Sequence, residues 1–392
     1  KFMDTNDEWI QERTGIKERR WIKEGTKDST SVMGAKAAKK AIERAGLTKN
    51  EIDFIVFATL SPDMYFPGGG VRVQDLLDMP TIGALDVRNQ CTGFIYAMSV
   101  ADQFIKTGMY KNILVIGSEN HSGGLEKSTR GRNVSVIFGD GAGAAVLSRC
   151  EEEGKGILSS HLHSEGKHAR ELMLEGPSTG RWVPEIMEAN DPDDVSYFPY
   201  MNGQFVFKHA VTRFSEAIVE GLQANNLQKE DIDMLIPHQA NLRIAQFIQK
   251  KFRLSDDNVY NNIMKYGNTT AASVIIALTE AWEQGKIKDN VMNEAPGSPH
   301  PPARRQEIGQ YRYFQRDKDE CPVRQRAQKR QPYPPPGPKA RLHYNPQRWG
   351  WHRYQSRAYL PRKDPAVGIG NPAYQRSPHS GKPKARCGLP KY

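Results

Sequence analysis

The sequence contains few cysteines, and no two of them lie close together. Only four occur among the 392 residues, Cys91, Cys150, Cys321 and Cys387. The absence of a Cys-x-x-Cys pair excludes the usual spacing of a zinc site, and the low density excludes a disulfide-stapled secreted scaffold. We therefore expect a reducing, cytoplasmic setting and predict no metal site.

Long apolar runs are also missing. No stretch of about 18 apolar residues occurs, and the N-terminal segment KFMDTNDEWI lacks the apolar part of a signal peptide. The sequence therefore predicts no membrane partner. The chain starts without methionine and almost directly at a helix start, so we expect the natural protein to have further residues upstream.

Aliphatic residues become scarce after residue 290. The last 102 residues contain 17 of the 25 prolines, only 10 Ile, Leu, Val, Met and Phe, and 21 Lys and Arg against 6 Asp and Glu. This composition predicts a disordered or non-native basic Pro-rich tail at residues 289–392. A basic tail with aromatic residues could bind nucleic acid. A shifted reading frame would give the same composition, and we favour it, so we expect no nucleic-acid partner.

Before the tail, short β-rich runs alternate with helical patterns. This alternation predicts an α/β protein with helix-covered sheets. The segments at residues 41–60 and 221–240 also resemble each other, since each predicts a helix closed by Gly46 or Asn226, followed by a buried strand. A chance match at a helix-to-strand junction is the alternative. We predict two similar halves, 1–150 and 151–288, with a polar, proline-punctuated insertion at 161–200.

Cys91 stands at the start of an apolar helical pattern, in the run NQCTGFIYA. The preceding run TIGALDV predicts a strand, so Cys91 is expected at a strand-to-helix turn. Unpaired backbone N–H groups and the positive end of the helix dipole would favour its thiolate there. The alternative is a small packing residue, which is the commonest role of an isolated cysteine.

His238 and Asn268 are two further candidates. The run LIPHQANLRI places His238 between an apolar strand and a helix start, where the other repeat has the non-ionisable Ala58. The run KYGNTTAAS places Asn268 in a glycine turn before an apolar helix. Together with Cys91 they form a plausible catalytic set. Singly, each has an ordinary explanation as a satisfied polar group or a turn residue.

Five motifs occur in an order that resembles the β-ketoacyl-acyl carrier protein synthase III family, the condensing enzymes of the thiolase-like superfamily. They are TNDEWIQERTGI at residues 5–16, DVRNQCTGF at 86–94, FGDGAGAAVL at 138–147, PHQANLRI at 237–244 and YGNTTAAS at 266–273. The resemblance implies a layered thiolase-like αβαβα fold. It also implies that Cys91, His238 and Asn268 are the catalytic residues of an acyltransferase.

The reaction that the resemblance implies is a decarboxylative condensation that starts type II fatty acid synthesis. Cys91 would take an acyl group from acyl-CoA, and malonyl-acyl carrier protein would then lose carbon dioxide and attack it. His238 and Asn268 would donate hydrogen bonds to the oxygen where charge develops. Coenzyme A enters as part of a substrate, so no cofactor is expected.

Substrate-binding positions follow from the same resemblance. The spacing of Thr5 and Glu8 fits a helix capping box, and Trp9 and Arg13 share one helix face. Packing of Trp9 in a core is the alternative for that residue. Arg130 competes with Arg132 for the place opposite the tryptophan. The positions implied to bind coenzyme A are Thr5, Trp9, Arg13, Arg132, Phe207, Asn241 and Arg243.

A basic surface and a dimer contact complete these expectations. Arg243, Lys250 and Lys251 lie on one side of a predicted helix, and Lys208 and Arg213 lie on the preceding helix. Such a surface suits an acidic carrier protein, although an ordinary solvated helix face is the alternative. The resemblance also implies a homodimer, in which Phe66 reaches across to close the partner's acyl pocket.

The sequence departs from the family in three places. Polar residues at positions 88–90 replace the usual small ones before the cysteine, and the insertion at 161–200 is long. The family's closing strands should begin after Lys288, where the tail stands instead, so we predict poor stability or no activity for the chain as written. Two alternative functions are a related enzyme that condenses longer acyl thioesters and an inactive fusion with a nucleic-acid-binding tail.

Overall fold

The computed structural model describes residues 3–150, 156–178, 180 and 194–287. The basic tail predicted at residues 289–392 lies outside this part of the chain, as does much of the predicted insertion at 161–200. The expectations about the tail, and about the stability and activity of a chain that carries it, therefore remain predictions. No helix in the described ranges combines the length and the apolar character that crossing a membrane requires.

The core of the fold is a four-stranded mixed sheet. Its strands are β1 (Phe54–Ala58), β2 (Gly83–Val87), β3 (Asn112–Glu119) and β4 (Gly141–Ser148), in the order β2-β1-β3-β4. Strand β1 is parallel to β2 and β3, and β4 is antiparallel to β3. The four correspond to the apolar runs in the sequence, and the side chains of β3 are almost entirely buried because helices cover both faces.

Nine α-helices occur in the described residues. The α-helices are α1 (Asp7–Thr14), α2 (Thr30–Arg44), α3 (Gly69–Leu76), α4 (Gly93–Lys106), α5 (Arg132–Ser135), α6 (Gly203–Ala224), α7 (Leu242–Phe252), α8 (Ile263–Tyr266) and α9 (Ala272–Glu283). Two short strands, β5 (Leu172–Met173) and β6 (Tyr200–Met201), pair antiparallel in a separate small sheet.

Alternation along the strands divides the core into two layers. Ile55 and Phe57 face helices α2 and α3, whereas Val56 and Ala58 face helices α4 and α9. Successive side chains of a strand point to opposite faces of the sheet, so the alternation along β1 places one pair of helices on each face. Helices α4 and α9, which begin next to the predicted catalytic residues, consequently pack on the same face of the sheet.

Glycines allow helix α9 to approach the sheet closely. A Cβ atom at Gly117 of β3 would lie 2.8 Å from the carbonyl oxygen of Ala271, and one at Gly143 of β4 would lie 2.5 Å from a methyl carbon of Ile275. Side chains at these positions would force α9 away from the sheet. Because Asn268 lies just before this helix, the close approach also sets the depth of the site.

The two repeated segments have similar local structures. Gly46 and Asn226 both have positive φ angles, and each precedes a short 3-10 turn with reciprocal capping. The first segment continues into β1. In the second, the predicted strand is reduced, within the described residues, to one bridge between Leu235 and Val259, because a ladder needs a neighbouring strand to extend it. The division into halves at residues 1–150 and 151–288 remains a prediction.

Candidate active site

Cys91, His238 and Asn268 line one cavity of about 920 Å³. Cys91 lies in a short 3-10 helix, Gln90–Thr92, between the end of β2 and the start of α4. Gln90 has a positive φ of 46°, a conformation that is costly for a residue with a side chain. The chain therefore turns sharply at this point, and the predicted strand-to-helix position of Cys91 is the one observed.

The expected activation of the Cys91 thiolate is not what the structure shows. Burial, and after it the charge of Glu119, raise the pKa of the Cys91 thiol to about 12. A hydrogen bond from the Asn268 side chain and one from the backbone lower the pKa, but by less. The backbone donor at the helix start does lower the pKa, as predicted, but the net shift is upward because removal of the sulfur from water outweighs it.

His238 is neutral, and one of its ring nitrogens has no hydrogen-bond partner in the part of the chain that the structure describes. Its Nδ1 lies 2.6 Å from the hydroxyl oxygen of Ser273, whereas its Nε2 is buried and has no hydrogen-bond partner among the described residues. Burial lowers the pKa of the ring to about 4, so the imidazole is uncharged near neutral pH. A buried polar atom without a partner is costly unless a ligand satisfies it.

Asn268 is held from both its backbone and its side chain. Its backbone N–H donates to the Ile137 carbonyl at 2.9 Å, and its own carbonyl accepts the Gly139 N–H at 3.0 Å. The side-chain Oδ1 accepts the backbone N–H of Thr270 at 2.8 Å. This contact leaves the other amide atom, the Nδ2 donor, for the interaction through which the Asn268 side chain lowers the pKa of Cys91.

Glu119 is a buried acid that the sequence analysis did not identify. It is fully buried at the end of β3 and accepts hydrogen bonds from the Ser61 hydroxyl at 2.6 Å and the Thr59 hydroxyl at 3.1 Å. Burial raises its pKa to about 7. The polar end of the strand pattern, Ser-Glu-Asn, is the one signal in the sequence that could have indicated it.

Trp9 lies between two arginines. The guanidinium carbon of Arg13 is 4.7 Å from its ring centroid and that of Arg132 is 5.4 Å, within the range of a cation–π contact. Arg130 instead lies over Phe198 and forms an ion pair with Glu126. Of the two competing arginines, the structure therefore places Arg132 at the tryptophan.

The N-terminus of helix α1 differs from the predicted capping box. Asn6, not Thr5, is the N-cap, and its side chain accepts the Trp9 backbone N–H at 2.8 Å. The Thr5 hydroxyl is buried and has no hydrogen-bond partner among the described residues. The capping prediction is wrong because the adjacent asparagine competes as a cap. Gly15 closes the helix with φ 77°.

Two of the other predicted binding residues line the cavity. Phe207 and Asn241 are part of its wall. Asn241 also caps helix α7 by accepting the Arg243 N–H at 2.9 Å, and it donates to the Arg13 carbonyl at 3.1 Å. It therefore ties the helix that follows His238 to the helix that carries Trp9.

The side chains of the predicted basic surface are exposed, and one of them, Arg213, is paired with carboxylates. Lys208 lies on α6, and Arg243, Lys250 and Lys251 lie on α7; all four are exposed. Arg213, also on α6, is paired with Glu165 and Glu216 at 2.8 and 2.5 Å. The prediction for Arg213 therefore needs correction, because two carboxylates already neutralise its charge.

One group of side chains has the composition of a metal site. Glu165, His168 and His209 lie close enough to share an ion. However, Lys167 and Arg213 already bind the carboxylate at 2.9 and 2.8 Å, and these two cations hold the pKa of Glu165 down at about 2. A metal ion would have to displace or oppose both charges, so the group is better explained as an ion-pair network.

Two family models match the chain. The model described as 3-oxoacyl-[acyl-carrier-protein (ACP)] synthase III matches residues 85–166, which include Cys91. The model described as 3-oxoacyl-[acyl-carrier-protein (ACP)] synthase III C terminal matches residues 222–293, which include His238 and Asn268. The two matches therefore contain all three residues that meet at the cavity.

Curated relatives and solved structures agree with these matches. The β-ketoacyl-[acyl-carrier-protein] synthases III of Caldanaerobacter subterraneus and Clostridioides difficile are each 46% identical to this chain over 74% of its length, and the matches cover 84% and 87% of those proteins. The crystal structure of the synthase III from Aquifex aeolicus has 39% identity and a TM-score of 0.65, over 73% of this chain and 85% of that one. The predicted thiolase-like α/β fold is confirmed.

Proposed function

The chain belongs to the 3-oxoacyl-(acyl-carrier-protein) synthase III family, and on that premise we propose that it condenses an acyl-CoA primer with malonyl-acyl carrier protein to start fatty acid synthesis. The enzyme is an acyltransferase. The observation that carries the proposal is the meeting of two neutral hydrogen-bond donors with a cysteine in one cavity. The Asn268 side chain lowers the pKa of Cys91, and Nε2 of His238 has no hydrogen-bond partner among the described residues.

In the first half of the reaction, the sulfur of Cys91 attacks the thioester carbonyl of the acyl-CoA. A bond forms between this sulfur and the acyl carbon, the bond to the CoA sulfur breaks, and the thiol proton leaves with CoA. The high pKa of the free thiol means that little thiolate exists before substrate binds. The hydrogen-bond donors at the site and the positive end of the helix that follows Cys91 then stabilise the negative charge that develops during the attack.

In the second half, the malonyl group loses carbon dioxide, and the electron pair of the broken bond becomes an enolate. The enolate carbon attacks the acyl carbonyl, and Cys91 leaves as the thiolate. Nε2 of His238 and Nδ2 of Asn268 donate to the enolate oxygen. Donation by the Ser273 hydroxyl to Nδ1 would leave the ring proton on Nε2, where this step needs it.

The Asn268→Ala variant tests this assignment. It removes one donor to the enolate oxygen, so condensation should fall by about 10²–10³, whereas acyl-enzyme should still accumulate. The measurements are the mass of the acylated Cys91 peptide and the release of carbon dioxide from malonyl-carrier protein. Normal decarboxylation in this variant would refute the role of Asn268.

Coenzyme A binding is proposed for the side chains around Trp9. The flat indole, with Arg13 and Arg132 nearby, suits stacking on adenine and pairing with phosphate. The buried hydroxyl of Thr5, which lacks a partner among the described residues, can bind a further polar atom. Asn241 and Phe207, on the cavity wall, would contact the pantetheine arm that leads to Cys91.

Carrier-protein docking is proposed for the exposed side chains of Lys208, Arg243, Lys250 and Lys251. A positive surface next to the cavity attracts an acidic partner and speeds its association. This contribution depends on salt because the side chains are exposed.

We also propose a homodimer that functions in the cytoplasm. Phe66 is 85% exposed, and the neighbouring Tyr65 is 63% exposed. Adjacent aromatic side chains with this exposure suit burial against a second copy, where Phe66 would close the partner's acyl pocket. The alternative of an enzyme that condenses longer acyl thioesters is not favoured, although one similar structure is that of a priming β-ketosynthase of a polyketide pathway (29% identity, TM-score 0.63). It is less well supported because the curated relatives share more of the sequence.

A further inference from the structure

Thr270 has a backbone conformation that its residue type disfavours. Its φ is 42°, and a β-branched residue at positive φ is a clear outlier that persists only when surrounding contacts enforce it. The residue is almost completely buried, two positions after Asn268 and next to helix α9. Contacts with neighbouring side chains must therefore keep Thr270 in this strained conformation next to the proposed catalytic residue Asn268.

Two buried polar side chains hold the Thr270 hydroxyl. Nε2 of His121 lies 2.9 Å from Oγ1, and the same Thr270 side chain interacts with the Glu119 carboxyl and lowers its pKa. Burial lowers the pKa of His121 to about 4, so its ring is neutral. The contacts then form a directed chain in which His121 N–H donates to Thr270, and the Thr270 O–H donates to Glu119.

The ends of this chain are fixed by the scaffold. Glu119 accepts the backbone N–H groups of Leu60 and Ser61, each at 3.2 Å. The backbone N–H of His121 donates to Asp140 at 2.7 Å. Glu119 is the last residue of β3 and His121 follows two residues later, so the sheet determines the position of the Thr270 hydroxyl.

Thr270 in turn determines which way the Asn268 amide faces. Its backbone N–H donates to Asn268 Oδ1 at 2.8 Å. An amide has two similar ends, and a fixed N–H donor at the oxygen end leaves the Nδ2 end facing Cys91. If Thr270 relaxed to an ordinary φ, its N–H would rotate away and the amide could flip.

We propose that Thr270 is a positioning residue, locked at positive φ by Glu119 and His121 so that Asn268 points its N–H at Cys91. The role of the oriented amide in condensation rests on the proposed function. The orientation of the Asn268 amide toward the sulfur does not rest on the proposed function, because a hydrogen bond to a thiolate changes the reactivity of the cysteine whatever the substrate.

Alkylation of Cys91 by iodoacetamide therefore tests the proposal without any assay of condensation. Trypsin cleavage after Arg88 and Lys106 releases residues 89–106, which contain Cys91 as their sole cysteine, so mass spectrometry can follow this thiol alone. We expect Thr270→Val, which removes the hydroxyl and keeps the shape, to slow alkylation about tenfold, since a lost hydrogen bond to the thiolate raises the thiol pKa.

Two comparisons separate positioning from a general structural role. Thr270→Ser keeps the hydroxyl and should alkylate at the wild-type rate. Asn268→Ala should be as slow as Thr270→Val, and the double variant should be no slower than Asn268→Ala, because Thr270 acts through Asn268. Wild-type alkylation in Thr270→Val, equal slowing by serine and valine, or additive effects in the double variant would each overturn the proposal.

Unfolding temperatures establish that each variant is folded. If Thr270→Val does not fold, His121→Gln provides the same test, because it weakens the contact between residue 121 and the Thr270 hydroxyl. This variant should slow alkylation by a smaller factor than Thr270→Val. An unchanged alkylation rate would contradict the proposal. In the condensation assay, Thr270→Val should lose decarboxylation and keep Cys91 acylation. A wild-type enzyme that alkylates as expected but fails to condense would refute the proposed function and leave the positioning intact.

Discussion

Neutralising Glu119 should make Cys91 more reactive, and by an amount that depends on pH. In the wild-type protein, burial first and the Glu119 charge second raise the pKa of the Cys91 thiol to about 12. Glu119→Gln removes the negative charge and leaves the burial. A nearby like charge commonly shifts a pKa by about one unit or more, so we expect the thiol pKa to fall by about one unit. The amide oxygen of glutamine can still accept the Thr270 hydroxyl.

The pH dependence follows from the carboxyl itself, whose pKa burial raises to about 7. At about pH 9 the wild-type carboxylate is ionised, so Glu119→Gln should alkylate at Cys91 about tenfold faster, since the rate follows the thiolate fraction. At about pH 5.5 the wild-type group is protonated and neutral, and the two rates should converge.

The assay is the iodoacetamide rate at Cys91, read from the tryptic peptide 89–106, between about pH 5.5 and pH 9. Asp102→Asn is the matched control, because Asp102 is also a buried acid but is not among the charges that shift the pKa of Cys91. Equal rates for Glu119→Gln and wild type at the alkaline end, in a variant that unfolds normally, would refute the reasoning. A ratio that does not change with pH would also refute it.

Three further predictions concern substrates and folding. Trp9→Ala should raise the KM for acyl-CoA about tenfold, because stacking on a base contributes roughly 1–3 kcal/mol; an unchanged KM would remove Trp9 from the CoA site. Reversing the charges of Lys250 and Lys251 to Glu should raise the KM for malonyl-carrier protein at low salt and leave that for acyl-CoA alone, and equal effects on both would contradict a docking surface. Gly117→Ala should lower the free energy of unfolding by about 1–3 kcal/mol, because its Cβ would meet the backbone of helix α9. The control is Gly166→Ala, which should leave the free energy of unfolding unchanged because the space around Gly166 is open. Urea denaturation measures both variants, and equal stability of the two would contradict the close packing of α9 on the sheet.

The sheet and the position of the cysteine could be predicted because both follow local patterns. Apolar runs bounded by turn residues marked β1, β2, β3 and β4, and the change from a strand to a helix pattern placed Cys91 at the junction. The distances at which glycines let α9 approach the sheet could not be predicted, because they depend on contacts between segments far apart in the chain.

The electrostatics of the site were beyond prediction for the same reason. A helix start next to a cysteine indicates a lowered pKa, but the depth of burial and the presence of Glu119 reverse the shift. The network through Thr270 joins residues about 150 positions apart, so no spacing in the sequence reveals it. The Thr5 cap was mispredicted because the choice between adjacent caps depends on backbone angles.

The central claim is that Cys91 carries the acyl group between the two half-reactions. The most direct test is to mix the protein with acyl-CoA, isolate the 89–106 peptide and measure its mass, then add malonyl-carrier protein and measure it again. The proposed function predicts that the peptide gains one acyl group in a thioester and loses it on addition of malonyl-carrier protein, with release of carbon dioxide and formation of the 3-oxoacyl product. That result would also overturn the expectation, drawn from the tail, that the chain as written is unstable or inactive. An unlabelled peptide, or a label that malonyl-carrier protein does not remove, would contradict the account.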